Sequence, residues 1–360
     1  MFKEKKMKKF AFALLTSLAC TLAQADYRMI VPQAPGSGTS VWANVVAPHL
    51  ARVLGEPVIV EHIPGANDIP GFNKFHNSLQ NDPKVIMVAH GGNAESFLTD
   101  RVDYNYDLYE PIALVNLNIL VSHSKELDPF KDHLKFGSTS GRRPDVMAII
   151  MMACGPKPSV DAYIACYKER MTFVKGMKPT DARLAALRGE LNLTRETYVS
   201  HKKFIEPMVK EGKFVDWFHH GIVDLKTGKI VNDKNFAKTP MFEDAYKAKW
   251  KQAPKGDFYD SYVLVKNYRD VLQKSLWVGK NNPNATKIRG SIVAMLNDPV
   301  AMKAIEADGG DYEWFVGKDM TRAYEVIRKQ VTEKRLKNLY KFTVEGMGLD
   351  AVYKPELIAK

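Results

Sequence analysis

The chain has 360 residues, of which 45% are apolar, 26% charged and 10% aromatic, and its formal charge is +11. At roughly 150 residues per domain this is two domains or one large one, each able to bury a core unaided. The aromatic content excludes a disordered chain, the lack of a further apolar run of about 18 residues excludes a multi-pass membrane protein, and the charge by itself points to an anionic partner.

The N-terminus changes that arithmetic. Residues 1–9 carry five lysines against Glu4, an apolar run follows from Phe10 to Ala23, and Ala23-Gln24-Ala25 has the A-x-A form of a cleavage site. This order is that of a secretory signal peptide cleaved after Ala25, which predicts a periplasmic protein. Cys20 would allow a lipoprotein signal, but Ser17 stands where such signals want leucine. The five lysines and one glutamate of residues 1–25 account for +4 of the charge and leave +7 on the exported chain. No basic stripe with interleaved aromatics remains, so no nucleic-acid partner is expected.

Of the three cysteines, Cys154 and Cys166 remain after export, in an oxidising compartment. A bridge between them, worth roughly 3 kcal/mol, is preferred to two inert thiols. No His pair at zinc spacing lies nearby, so no metal is expected.

The exported chain opens with a strand at Tyr27–Pro32, a turn at Pro35-Gly36-Ser37-Gly38-Thr39-Ser40, and a helix with Ser40 or Thr39 as its N-cap. A strand at Val58–Glu61 leads to the turn Pro64-Gly65-Ala66-Asn67-Asp68 and a helix carrying Phe72, Phe75 and Leu79. Val85–Ala89 is a third strand, running into His90-Gly91-Gly92-Asn93. Ile112–His123 reads as paired short strands crossing between lobes. A second series follows: strand Leu134–Gly137, turn Ser138–Arg143, an apolar helix Pro144–Cys154, strand Met171–Lys175, helix Pro179–Arg188, and a turn at Thr194–Thr197. Ser275–Val278 crosses back, and helices follow at Ile288–Leu296, Pro299–Ala307 and Arg322–Phe342. Alternating strands and helices predict an α/β protein with mainly parallel sheets in two lobes. The glycine-rich turns then gather at the carboxyl edge of the strands, where backbone N–H groups at helix N-termini favour anions.

Catalytic patterns are missing. Gly36-x-Gly38 lacks the third glycine of a dinucleotide fingerprint, and neither a P-loop, HExxH nor G-x-S-x-G occurs. No cofactor is expected. Ser40 with His90 allows a secreted serine hydrolase as a rival reading, although a serine opening a helix is commonly a cap. Trp42 and Phe72 are expected in the core, and Asp68 as an N-cap. Among the cations near the turns, Arg142, Arg143 and Arg195, one of Arg143 and Arg195 is expected to face a ligand carboxylate.

Arg28-Met29-Ile30-Val31-Pro32, Pro35-Gly36-Ser37-Gly38-Thr39, Gly55-Glu56-Pro57-Val58-Ile59-Val60-Glu61 and Pro64-Gly65-Ala66, in that order and spacing, resemble the opening of the periplasmic substrate-binding receptors of tripartite tricarboxylate transporters. Phe136-Gly137-Ser138-Thr139 and Ala182-Arg183-Leu184-Ala185-Ala186-Leu187-Arg188-Gly189-Glu190 extend the resemblance to the second lobe, while residues 221–260 fit it less well. The resemblance implies a two-lobed Venus-flytrap receptor, a monomer without enzymatic activity, that holds a carboxylate in its cleft and hands it to membrane permease subunits. Residues 26–120 with 277–360 would form lobe one, and 121–276 lobe two. In lobe one the ligand would meet Ser37, Gly38, Thr39, Ser40, Ala66, Asn67, Asp68, His90, Gly91, Gly92 and Asn93. In lobe two it would meet Ser138, Thr139, Ser140 and Gly141. Gln33 stands where the family often has an aromatic, Ser40 where it has an acid, and Asn67 where it has glycine. Loss of the acid favours an anionic ligand. A sensory module presenting its ligand to a membrane kinase would have the same cleft, and genomic neighbours would separate the two.

Overall fold

The computed structural model describes residues 26–65, 68–91, 98–99, 101–138 and 141–358. The signal peptide and its cleavage site, with Ala66, Asn67, Gly92, Asn93, Thr139 and Ser140, lie outside the described residues.

In chain order the elements are β1 (Tyr27–Val31), α1 (Gly38–Leu54), β2 (Val58–His62), α2 (Ile69–Lys74), β3 (Val85–Ala89), β4 (Tyr109–Val115), β5 (Ile119–Ser124), β6 (Leu134–Ser138), α3 (Pro144–Cys154), α4 (Val160–Arg170), β7 (Met171–Lys175), α5 (Pro179–Leu187), β8 (Leu193–Thr197) and β9 (Phe214–His219). They continue with β10 (Ile222–Val223), β11 (Ile230–Val231), α6 (Phe242–Trp250), α7 (Asp257–Val271), β12 (Lys274–Gly279), α8 (Ala285–Leu296), α9 (Pro299–Gly309), β13 (Trp314–Val316), α10 (Lys318–Arg328) and α11 (Glu333–Lys341).

Lobe one is a six-stranded sheet in the order β13-β4-β12-β3-β1-β2. Its strands alternate apolar side chains between two faces, as the period of two demands. Tyr27, Met29, Val31, Ile86 and Val88 pack against Trp42, Val46 and Leu50 of α1 and Ile288 and Ile292 of α8. Ile30, Met87 and Trp277 face the other way, onto Phe72, Phe75 and Tyr106. Trp42 and Phe72 are therefore core residues, Trp42 stacking on Trp314 at 5.6 Å between centroids.

The sheets are mixed rather than mainly parallel. β1 pairs in parallel with β2 and β3, but β12 runs antiparallel between β3 and β4. In lobe two, β5 lies antiparallel between β8 and β9, and β6 pairs in parallel with β7. Ile112–His123 does hold two short strands, but they are not paired with each other: β4 and β5 belong to different sheets, with residues 116–118 crossing between the lobes. Thr194–Thr197 is strand rather than turn, because β5 takes its backbone groups from Ile119 to His123. The last expected helix is broken into α10 and α11 at Thr332, whose hydroxyl accepts from Arg335 N and caps α11.

Lobe two is built around α3, buried along almost its whole length. Cys154 at its end is bridged to Cys166 in α4, with the Cα atoms 6.3 Å apart. The central α7 packs against α3, α10 and α11. It then leads into β12, the second crossover, and Leu117 N donates to Asp270 O at 3.3 Å where the two crossovers run together.

Candidate functional site: the cleft between the lobes

The lobe-one wall is made by the turns after β1, β2 and β3. Ser37, not Ser40 or Thr39, caps α1: its hydroxyl accepts from Ser40 N at 3.2 Å, which satisfies one of the unpaired N–H groups of the first turn. Ser40 is buried one turn further in, and its Oγ lies 2.7 Å from His62 Nε2. The serine envisaged as a nucleophile beside His90 is thus engaged by the last residue of β2.

Asp68 holds the N-cap position of α2 in the left-handed conformation, φ 63°, and makes no capping bond. Its carboxylate turns instead to the end of β3, where Oδ2 lies 2.5 Å from His90 Nδ1 and accepts from Gln33 Nε2 at 3.2 Å. Burial pushes the His90 imidazole down despite Asp68, and the positive charges of Arg269 and Arg143 push it the same way. Gly91 permits a close approach from the other side: a Cβ there would sit 2.2 Å from Gln273 Oε1 and 2.8 Å from Arg269 Cγ.

The lobe-two wall begins at Ser138, the last residue of β6, whose buried Oγ has no hydrogen-bond partner among the described residues. With Thr194, Arg195, Met177 and Pro179 it lines a small cavity with room for about one water molecule. Arg143 immediately precedes α3 and is buried. Burial, reinforced by the charge of Arg195, brings its guanidinium down to about 9, while Asp145 and Asp68 pull it upward. Asp68 belongs to the opposite lobe, so the charge of Arg143 is felt across the cleft. At neutral pH the group stays charged. Gly141 is covered by Leu349 and Met347 from the C-terminal segment.

Arg195 is already tethered within its lobe. Its Nε lies 3.6 Å from Asp145 Oδ2, while Asp145 Oδ1 accepts from His220 Nε2 at 3.1 Å. The Tyr262 hydroxyl lies 3.0 Å from the other nitrogen of that ring. His219 faces elsewhere, its Nδ1 accepting from Asn118 Nδ2 and Gly221 N at 3.0 Å each.

The floor comes from α7, which the sequence reading left out of the site. Tyr262, Lys266, Arg269 and Asp270 fall at helical spacing along one face, and Gln273 follows just past its end; all are buried. Lys266 Nζ lies 3.5 Å from Asp270 Oδ2. Burial lowers the Arg269 guanidinium to about 10, with Asp270 and Asp68 opposing the shift. A row of charged side chains inside a helix bundle costs several kcal/mol per ion to desolvate unless well paired. The available signal was the run Tyr262-x3-Lys266-x2-Arg269-Asp270, a polar stripe on an otherwise apolar helix.

Chemically, this arrangement suits an anion. Two guanidiniums from different elements, Arg143 and Arg269, are held charged in a poorly solvated place and both feel the Asp68 carboxylate. Among the described residues no group of three or more His, Cys, Asp or Glu could hold a metal ion.

No protein-family model matches the chain. Over 99 residues it is 27% identical to a UPF0065 protein of Bordetella pertussis, a match covering 27% of this chain and only 31% of that relative's length. Among solved structures it is similar to the periplasmic binding protein BugD, with a TM-score of 0.60 and 15% identity over 91% of this chain and 99% of BugD. A Rhodopseudomonas palustris protein solved with adipate superposes with a TM-score of 0.60 at 13% identity, covering 89% of this chain and 99% of that one. MatC from the same organism, with bound malate, gives 0.52 at 14% identity, covering 85% and 100%. The chain therefore has the two-lobed fold of the periplasmic binding proteins.

Proposed function

We propose that the protein is an exported solute-binding receptor that captures a small organic carboxylate between its lobes and passes it to the membrane subunits of a tripartite tricarboxylate-type permease, without chemistry of its own. The observation that carries this reading is that the Asp68–His90 pair of one wall, with Arg269 packed on the adjacent Gly91, shares a buried region with Arg143, and the charges of both arginines act on His90. A carboxylate entering there would form charge-assisted hydrogen bonds in a low-dielectric setting. The fold supports it, and two neighbours with that fold were solved with dicarboxylates, adipate and malate.

In this reading the N–H groups of Ser37 to Ser40, with Ala66, Asn67 and Asn93, hold one end of the ligand. Ser138, Thr139, Ser140 and Arg143 hold the other, and Arg195 buttresses them from its tether on Asp145. The protein is a monomer of two lobes joined at residues 116–118 and 272–273, near the expected breaks at 120 and 276, cleaved after Ala25 and working in the periplasm. A thermal-shift panel of mono-, di- and tricarboxylates tests the proposal. A ligand present at 100 times its Kd stabilises by about 2.7 kcal/mol. A melting temperature unmoved by every acid in the panel overturns the reading.

A further inference from the structure

After β9 the chain makes an excursion, residues 221–236, that touches both lobes and the crossover between them. Asn116 Nδ2, in the first crossover, donates to Val223 O at 2.6 Å. Asn118 Nδ2 donates to Asp233 Oδ2 at 3.1 Å, and the buried Asp233 also accepts from Asn235 N and Nδ2 at 2.9 Å. The excursion therefore grips the hinge through buried hydrogen bonds at Asn116 and Asn118, which are stronger in a low-dielectric interior than in water.

Its outer end reaches lobe one. Lys234 Nζ lies 2.5 Å from Asp311 Oδ2, and Asn235 Nδ2 donates to Asp311 O at 3.2 Å. Asp311 precedes Tyr312, a member of the lobe-one core, and β13 of the lobe-one sheet. Burial, with the Asp233 carboxylate beside it, pushes the Tyr312 phenol well up. Phe236 meets Tyr198 edge-on at 5.7 Å, and Tyr198 meets Tyr312 edge-on at 6.5 Å, so the aromatic packing also runs from lobe two into lobe one.

The two ends differ in strength. The hinge end is buried, whereas Lys234 and Asp311 are 70% and 61% exposed, and an ion pair so placed is weak and easily separated. An opening rotation about residues 116–118 and 272–273 would carry Asp311 and Tyr312 away with lobe one. Asp233 stays with the hinge.

We infer that residues 221–236 are an interlobe clasp that biases the cleft toward closure, with Asp233 as the positioning residue on the hinge and the Lys234–Asp311 contact as its releasable grip. The inference rests on the binding-protein reading and names what regulates closure of that same site. Ligand affinity scales with the population of the competent state, so loosening the grip weakens binding without touching a ligand contact.

The test compares the parent with Lys234→Ala and, from the other side, Asp311→Asn. Spin labels on the two lobes report the ligand-free interlobe distance distribution, and hydrogen exchange reports residues 116–119. In both variants the longer-distance population is expected to grow roughly 2–5-fold, the scale of an exposed ion pair, with the melting temperature within about 2 °C of the parent because surface substitutions perturb stability little. The probe carboxylate identified by thermal shift should dissociate faster by a similar factor. Unchanged distances and exchange in both variants overturn the clasp. The ligand-free measurement keeps the two proposals separate: variants that open in a protein indifferent to carboxylates retain the clasp and remove the receptor reading.

Discussion

Arg195 Nε lies 3.6 Å from Asp145 Oδ2, so this cleft arginine is held by its own lobe before any ligand arrives. Burial works to raise the Asp145 carboxyl, but the His220 bond and the charges of Arg195 and Arg143 hold it below the usual carboxylate range. One carboxylate thus organises Arg195, His220 and, through the imidazole, Tyr262 of α7. Removing it in Asp145→Ala strands an arginine and a histidine in the interior, which costs about 3–5 kcal/mol. Asp145→Asn keeps the shape and an acceptor for His220 and should lose less. Urea unfolding measures both; a loss under about 1 kcal/mol for the alanine variant would show that Asp145 organises nothing.

The same tether ranks the arginines as ligand contacts. Arg143 feels the charges of Asp145 and of Asp68, whereas Arg195 is ion-paired with Asp145. A charge-assisted hydrogen bond contributes about 1.5–3 kcal/mol, so Arg143→Met should weaken carboxylate binding by roughly 10–100-fold. Arg195→Met should weaken it by clearly less. Calorimetric titration gives the order, and the reverse order would reassign the clamp to Arg195.

Much of lobe one was legible because its signals are local. The apolar strands, the glycine-rich turns and the helices that follow them all depend on neighbouring residues, and Gly55 ends α1 in the left-handed conformation at φ 72°. The two cysteines were legible because a bridge between them needs only proximity and an oxidising compartment. The Asp68–His90 pair was half legible: each residue was placed in a cleft turn, but their bond joins the ends of β2 and β3, which nothing local announces. The floor was illegible for a different reason. The polar stripe of α7 has the same 3.6-residue period whether it faces solvent or a buried cleft, and only the packing of α3, α10 and α11 around it decides. Ser40 and Ser37 are equally good caps by residue type, and only the backbone decides: Ser37 takes the extended cap conformation, φ −67° and ψ 160°, and accepts from Ser40 N.

The Cys154–Cys166 bridge joins the end of α3 to α4, with 12 residues of sequence separation. Arg143 lies at the opposite end of α3, about 15 Å away at 1.5 Å per residue. Replacing both cysteines by serine should therefore lower stability by about 3 kcal/mol while leaving carboxylate affinity within about twofold. Chemical denaturation with and without dithiothreitol checks the first part. A large loss of affinity would mean that the bridge sets the position of Arg143.

Acid should destabilise the protein through His219. Its Nδ1 accepts two donors, Asn118 Nδ2 and Gly221 N, so protonation at that atom breaks both bonds. Burial, with His220 and Lys266 nearby, pushes the imidazole down to about 4 against the pull of Asp233. In the unfolded chain histidine titrates near 6.5, so above that pH both states are neutral and the stability is fully present. As the pH falls from about 6.5 to 4 the unfolded state takes up the proton first, and stability is lost at a rate set by that difference, about 3 kcal/mol in all. His90 and His123, also pushed down by burial, act in the same direction. Glu243 and Asp270, whose carboxyls burial pushes up, act in the opposite one, so the parent's total slope is a balance. His219→Gln isolates the contribution, because its amide oxygen still accepts from Asn118 but takes no proton. Urea midpoints measured from pH 7.5 to 4.5 should fall more steeply in the parent than in the variant, and equal slopes would place the acid sensitivity elsewhere.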